Sequence, residues 1–323
     1  MRSLCGFWAV WVTCIELQAV LALASLDIGI GFELTLDYGT AAAAYSNGTT
    51  ISVAKIEGGP AYKSEMRRLL LEALTPDSEP SVFVTIIMAF MACLRFLNVI
   101  ERPGEDSPLK RMLSALKMSS EVFFEEEVQS VEIALPVTRS YSTKRDPQTQ
   151  ELDTILSSIG LSRTNEHPTR SSIATCFSNN ITSLTTTSTA SSITSLPFIL
   201  HLSYSCSALL LTLENLELGL LEVTKTTARL DLGAESIRTF PHYWRAVENE
   251  MKRFVKGVTV MDVIVSGDKV WEEMEVLNIV KRVLGKKVLQ GRNLGRGGGG
   301  VDPVWAGAFG VARMTTGQGF EDD

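Results

Sequence analysis

Asp37-Tyr38-Gly39-Thr40 is the stretch best suited to chemistry. It stands between two runs with strand character. A tight turn between strands exposes backbone N–H groups, and glycine allows the close approach that a phosphate needs. Thr40 adds a hydroxyl donor. Asp37, at the strand end, could hold Mg²⁺ through water, as suits an ion that keeps much of its hydration shell. The plain alternative is an ordinary hairpin turn that uses Asp and Gly for their backbone preferences.

Other chemistries are poorly supplied. Glu125-Glu126-Glu127 reads as a solvated helix end. His167, His201 and His242 lack metal-ligand spacing. No G-x-S-x-G elbow occurs, and Gly291–Gly300 lacks the Lys-Ser/Thr of a P-loop. Cys93, Cys176 and Cys206 show no metal pattern, and Cys5 and Cys14 lie in the first apolar run.

The flanking pattern supplies the elements. Residues 27–40 and 41–55 read as extended runs, with Asn47-Gly48 as a hairpin signal. Residues 62–74 carry an apolar helical stripe through Met66, Leu69 and Leu70. Ser107-Pro108 is a helix start, serine as cap and proline in the first turn. Residues 129–136 predict a strand ended by proline, and 151–159 a helix stopped by Gly160. Residues 163–196 are rich in Ser and Thr and read as an irregular insertion. Residues 207–225 predict a hairpin turning at Glu214-Asn215. A helix (242–256), a buried strand (258–265), the turn Ser266-Gly267-Asp268, a long helix (269–284) and a closing helix (302–315) follow, and no internal repeat is visible. The order is that of an α/β protein.

The chain has 323 residues, 45% hydrophobic and 21% charged, with a formal net charge of −7. That charge lacks the basic footprint of a nucleic-acid binder. Residues 1–24 hold one early arginine and a long apolar run closing on Ala22-Leu23-Ala24. They read as a secretion signal, which implies the secretory pathway. An uncleaved anchor or a buried first helix is the alternative, and without a signal the protein would be cytoplasmic. Residues 82–100 approach membrane-spanning length, although Arg95 and Asn98 favour a buried helix. Membrane contact could involve either segment. Asn47 and Asn180 begin glycosylation sequons.

The segment FELTLDYGTAAAAYSNGTTISVAKIEG resembles the opening hairpin of the actin-like ATPase superfamily, which includes DnaK-type chaperones, actin and sugar kinases. VTVMDVIVSGDKVWEEMEVLNIVKRVLG resembles that family's adenosine segment, and VDPVWAGAFGVAR its closing helix. VEIALP and LDLGAES look like a group of fungal proteins with a degenerate version of the domain. The resemblance implies a ribonuclease H-like α/β architecture, two lobes around a cleft, in a trimmed form. The N-terminal lobe would span 25–162 and the C-terminal lobe 197–323. It implies ATP or ADP with Mg²⁺, contacted by Asp37, Gly39, Thr40 and Gly267, with Asp37 serving the metal.

Departures from the family pattern imply weak or absent hydrolysis. Gly267 stands alone where paired glycines are usual. The best counterpart of the second phosphate turn, Thr212–Val223, has no aspartate before a glycine, and no catalytic lysine is identifiable. A pseudo-enzyme that uses the fold as a protein-interaction scaffold is the other reading.

Overall fold

The computed structural model describes residues 28–74, 107–138, 147–181, 198–217, 220–285 and 301–316. The apolar runs at 1–24 and 82–100 and the glycine-rich loop at 291–300 lie outside these residues. Among the described residues no helix is long and apolar enough to cross a membrane.

Alternating apolar residues build two sheets. The first contains β1 (Ile28–Leu34), β2 (Tyr38–Tyr45), β3 (Thr50–Glu57), β4 (Ser130–Leu135) and the short β5 (Ser162–Arg163) and β6 (Thr169–Arg170). Its order is β3-β2-β1-β4, with β5 and β6 both pairing β4. β1 is antiparallel to β2 and parallel to β4. The second sheet contains β7 (Phe198–Tyr204), β8 (Leu209–Glu217), β9 (Leu220–Arg229) and β10 (Val260–Ser266). Its order is β10-β7-β8-β9, with β7 antiparallel to β8 and parallel to β10. Read from the third strand of each set, both sheets run third, second, first, fourth with the same directions. The chain therefore repeats one topology, although no sequence repeat announces it.

The repeat extends to the turns. The last paired residues before the first turn of each sheet are Leu34 with Gly39 and Tyr204 with Leu209. Thr35–Tyr38 thus matches Ser205–Ala208, which makes Asp37 the counterpart of Ser207 and Glu33 that of Ser203. A glycine after each third strand closes on the turn. Gly58 N–H donates to the Asp37 carbonyl. A Cβ on Gly233 would lie 2.3 Å from the Cys206 carbonyl oxygen, so that position admits no side chain.

Among the described residues seven α-helices cover the sheets: α1 (Pro60–Leu74), α2 (Pro108–Phe124), α3 (Pro147–Ser158), α4 (Ser171–Ser178), α5 (Tyr243–Phe254), α6 (Met274–Leu284) and α7 (Ala306–Thr315). The first three pack Met66, Leu70, Leu113, Leu116, Leu152 and Ile155 onto the first sheet. α5 and α6 pack Val247, Met251, Val276 and Val280 onto the second. α4 and α7 are exchanged. Cys176 and Ile181, on and just after α4, pack with Ile199 of β7 and Ile264 of β10. α7 lies on β1, where Gly29 and Gly31 leave room for the backbone of Ala312 and Ala308. The two helices meet at Gly310, whose absent side chain would run into the Ala174 carbonyl.

Several expectations require correction. Residues 169–178 are not part of an irregular insertion; they form β6 and the almost fully buried α4. Small hydroxyl residues suit this helix because it packs between two sheets at close range. Glu214 and Asn215 lie within β8, not at a turn. The long helix expected at 269–284 begins only at Met274. The first extended run breaks at Thr35–Asp37, so the hairpin is β1–β2 and Asn47-Gly48 turns β2 into β3, with Gly48 at φ 86°.

The start of α2 is as expected: Ser107 Oγ accepts from Lys110 N–H and Pro108 occupies the first turn. Ser107→Ala is expected to lower stability by about 1 kcal/mol in urea unfolding.

Candidate functional site

The four residues singled out in the sequence do not share one tip. Thr35 shapes the β1–β2 turn: its hydroxyl donates to the Tyr38 carbonyl and accepts from the N–H groups of Tyr38 and Asp37. Gly39 and Thr40 already belong to β2, paired with Leu34 and Glu33. A side chain on Gly39 would meet Met112 and Leu116 of α2, so the bare position lets this helix pack close. Thr40 is fully buried, and its hydroxyl has no hydrogen-bond partner. Gly267 follows β10 at φ 105°, where a Cβ would lie 2.1 Å from the Tyr204 carbonyl oxygen.

Asp37 joins the two halves. It is 1% exposed. Its carboxylate accepts from the Ser207 N–H at 2.9 Å and from the Ser207 hydroxyl, 170 residues away in sequence. Lys63 of α1 adds an ammonium at 3.0 Å and also lies 3.8 Å from Glu235. Burial pushes the Asp37 pKa up, but Ser207, Ser205 and Lys63 outweigh it and hold the carboxyl below its ordinary range. Burial would lower the Lys63 pKa; its bond to Asp37 raises it instead. The two residues in contact, Asp37 and Ser207, occupy matching positions of the two repeated turns.

Beside this junction lies a cavity of about 20 Å³, lined by Glu33, Tyr38, Ser171, His201, Ser203 and Gly267 among others. It has room for about one water molecule. Glu33, near the end of β1, is fully buried there, and burial pushes its pKa up to about 7. Ser171 and the N–H groups of Gly307 and Ala308, at the start of α7, offset part of that cost. Ser171 Oγ itself has no well-aligned partner. His201 donates to or accepts from Ser266 Oγ at 2.9 Å, and burial pushes its pKa down to about 4.

Two further carboxylates are buried nearby in the chain's interior. Glu132 of β4 accepts from Thr169 Oγ1 and from Asn165 N–H, both at 3.0 Å. Glu214 of β8 accepts from the Cys176 thiol at 2.8 Å. Burial raises both pKa values. Sequence pattern singles out none of Glu33, Glu132 and Lys63, and it places Glu214 at a hairpin turn rather than in a buried strand. The available signal was a lone Glu inside each apolar strand: GFEL, SVEIAL and LTLENL.

At the Asp37 junction the polar atoms are already partnered within the protein. Among the described residues no group of three or more His, Cys, Asp or Glu could hold a metal. Both Asp37 oxygens are engaged by Ser207, and one also by Lys63. The turns Thr35–Tyr38 and Ser205–Ala208 contain no glycine. No protein-family profile matches the chain, and no curated protein aligns with it significantly.

Proposed function

We propose that the chain is a catalytically silent protein of the actin-like ATPase type, in which two ribonuclease H-like halves serve as a scaffold for protein contacts. The repeated strand order and the exchange of α4 and α7 support the architectural part of this reading. The observation that carries the functional part is the direct bond between Asp37 and Ser207. It joins the two turns between which a ligand's phosphates would have to sit. With the N-terminal segment read as a secretion signal, the scaffold would act along the secretory pathway.

The second reading is a nucleotide-binding protein with weak or absent hydrolysis, holding Mg-ATP or Mg-ADP through Asp37, Gly39, Thr40 and Gly267. One observation favours it: Gly267, in its left-handed turn, lines the same cavity as Tyr38, next to Asp37. Binding would require the halves to part and Asp37 to exchange Ser207 for the ion.

Thermal melting separates the two. The scaffold is expected to melt at the same temperature with and without Mg-ATP or Mg-ADP. A saturable rise in melting temperature, abolished in Asp37→Ala, would establish the nucleotide reading in its place.

A further inference from the structure

The C-terminal half of α2 is built against its own electrostatics. Its inner face is buried through Met112, Leu113 and Leu116, but Met118 is 61% exposed, Val122 74% and Phe123 48%. Met118 and Val122 stand four residues apart, hence on one strip of the helix. The strip borders a shallow groove of about 660 Å³, whose rim carries Glu121, Glu125, Glu126 and Glu127. A helix C-terminus carries partial negative charge and favours cations. Here the last turn has no basic residue, and three glutamates follow. Lys117 is already engaged, with the Ile159 carbonyl at 2.9 Å and Glu121 at 3.4 Å. Among the described residues no ion pair holds Glu125 or Glu126.

We propose that this surface docks a basic amphipathic helix of another protein. Its apolar side would cover Met118, Val122 and Phe123. Its lysines or arginines would meet the glutamates and the negative end of α2. The spacing of the strip suits a helix laid in a groove, where anchors recur every third or fourth residue. The carboxylates select a cationic partner and make its association sensitive to salt. The site stands apart from the Asp37 junction, so its failure would leave the nucleotide tests untouched.

A designed leucine/lysine amphipathic helix with a fluorescent label is the probe. Anisotropy titration of the full chain is expected to show saturable binding that weakens with added salt. Val122→Ser with Met118→Ser should weaken it about tenfold or more, and so should Glu125→Gln, Glu126→Gln and Glu127→Gln together. All five positions are on the surface, and unchanged circular dichroism would verify the fold. Equal binding by both variants and wild type would overturn the proposal. So would equally tight binding of a lysine/serine peptide, which would reduce the site to unspecific charge. Sedimentation showing a dimer that Val122→Ser dissolves and the probe cannot displace would assign the surface to a second copy and overturn it as well.

Discussion

Asp37→Ala is expected to destabilise the fold by about 3 kcal/mol, the scale for removing one partner of a buried charged pair. The loss has two parts. The Ser207 N–H and hydroxyl are left without their acceptor inside the structure. Lys63 loses its ion pair, but it is partly exposed and can turn to water, so its share is small. Lys63→Met alone should therefore cost much less than Asp37→Ala. Chemical denaturation of the two single variants and the double variant would check this, with a coupling free energy expected between the sites. The pH dependence follows from the depressed Asp37 pKa. The carboxylate's contribution is complete above the unfolded value of 3.8 and is lost as pH falls through the lower folded value. An Asp37→Ala protein as stable as wild type at neutral pH would remove the junction from any account of how the halves hold together.

Glu33 should give the opposite sign. Its pKa rises from 4.5 to about 7 on burial, so the folded state resists ionising it. Its contribution is complete below pH 4.5 and is lost as pH rises through 7, a change on the order of 3 kcal/mol. His201 works against it: with a folded pKa near 4, it costs stability as pH falls below its unfolded value. The overall pH profile therefore mixes opposing slopes. The difference between Glu33→Gln and wild type isolates the glutamate. It should be small below pH 4.5 and grow until the variant is the more stable protein above pH 7. Urea titrations across that range read it directly, and a difference that stays constant with pH would refute the assignment.

Local pattern reading reached the elements better than the site. The Ser107-Pro108 start, the apolar stripe at 66–70 and the Asn47-Gly48 turn are carried by a few neighbouring residues, so a linear reading finds them. Gly39 and Thr40 look like a turn in sequence, while strand pairing with Leu34 and Glu33 places both inside the sheet. α4 was hidden for a different reason. SSIATCFS has the composition of a linker, and only the packing between Ile199, Ile264 and Glu214 explains small hydroxyl residues in a buried helix. The duplication is carried by strand order and by matched four-residue turns, neither of which leaves a trace in residue identity.

The exchange of α4 and α7 bears on how the protein is made. β1 begins at Ile28, yet the helix that covers its face lies at 306–315. The face that α7 covers is lined on β1 by Gly29, Gly31 and Glu33, so until residues 306–315 have left the ribosome a nascent chain leaves bare backbone and one carboxylate there rather than apolar side chains. Contacts so distant in sequence close slowly, and exposed sheet is prone to aggregate meanwhile. Closure of the Glu33 face thus waits for residues 306–315, whereas α1, α2 and α3 can cover the apolar face of the same sheet much earlier in synthesis.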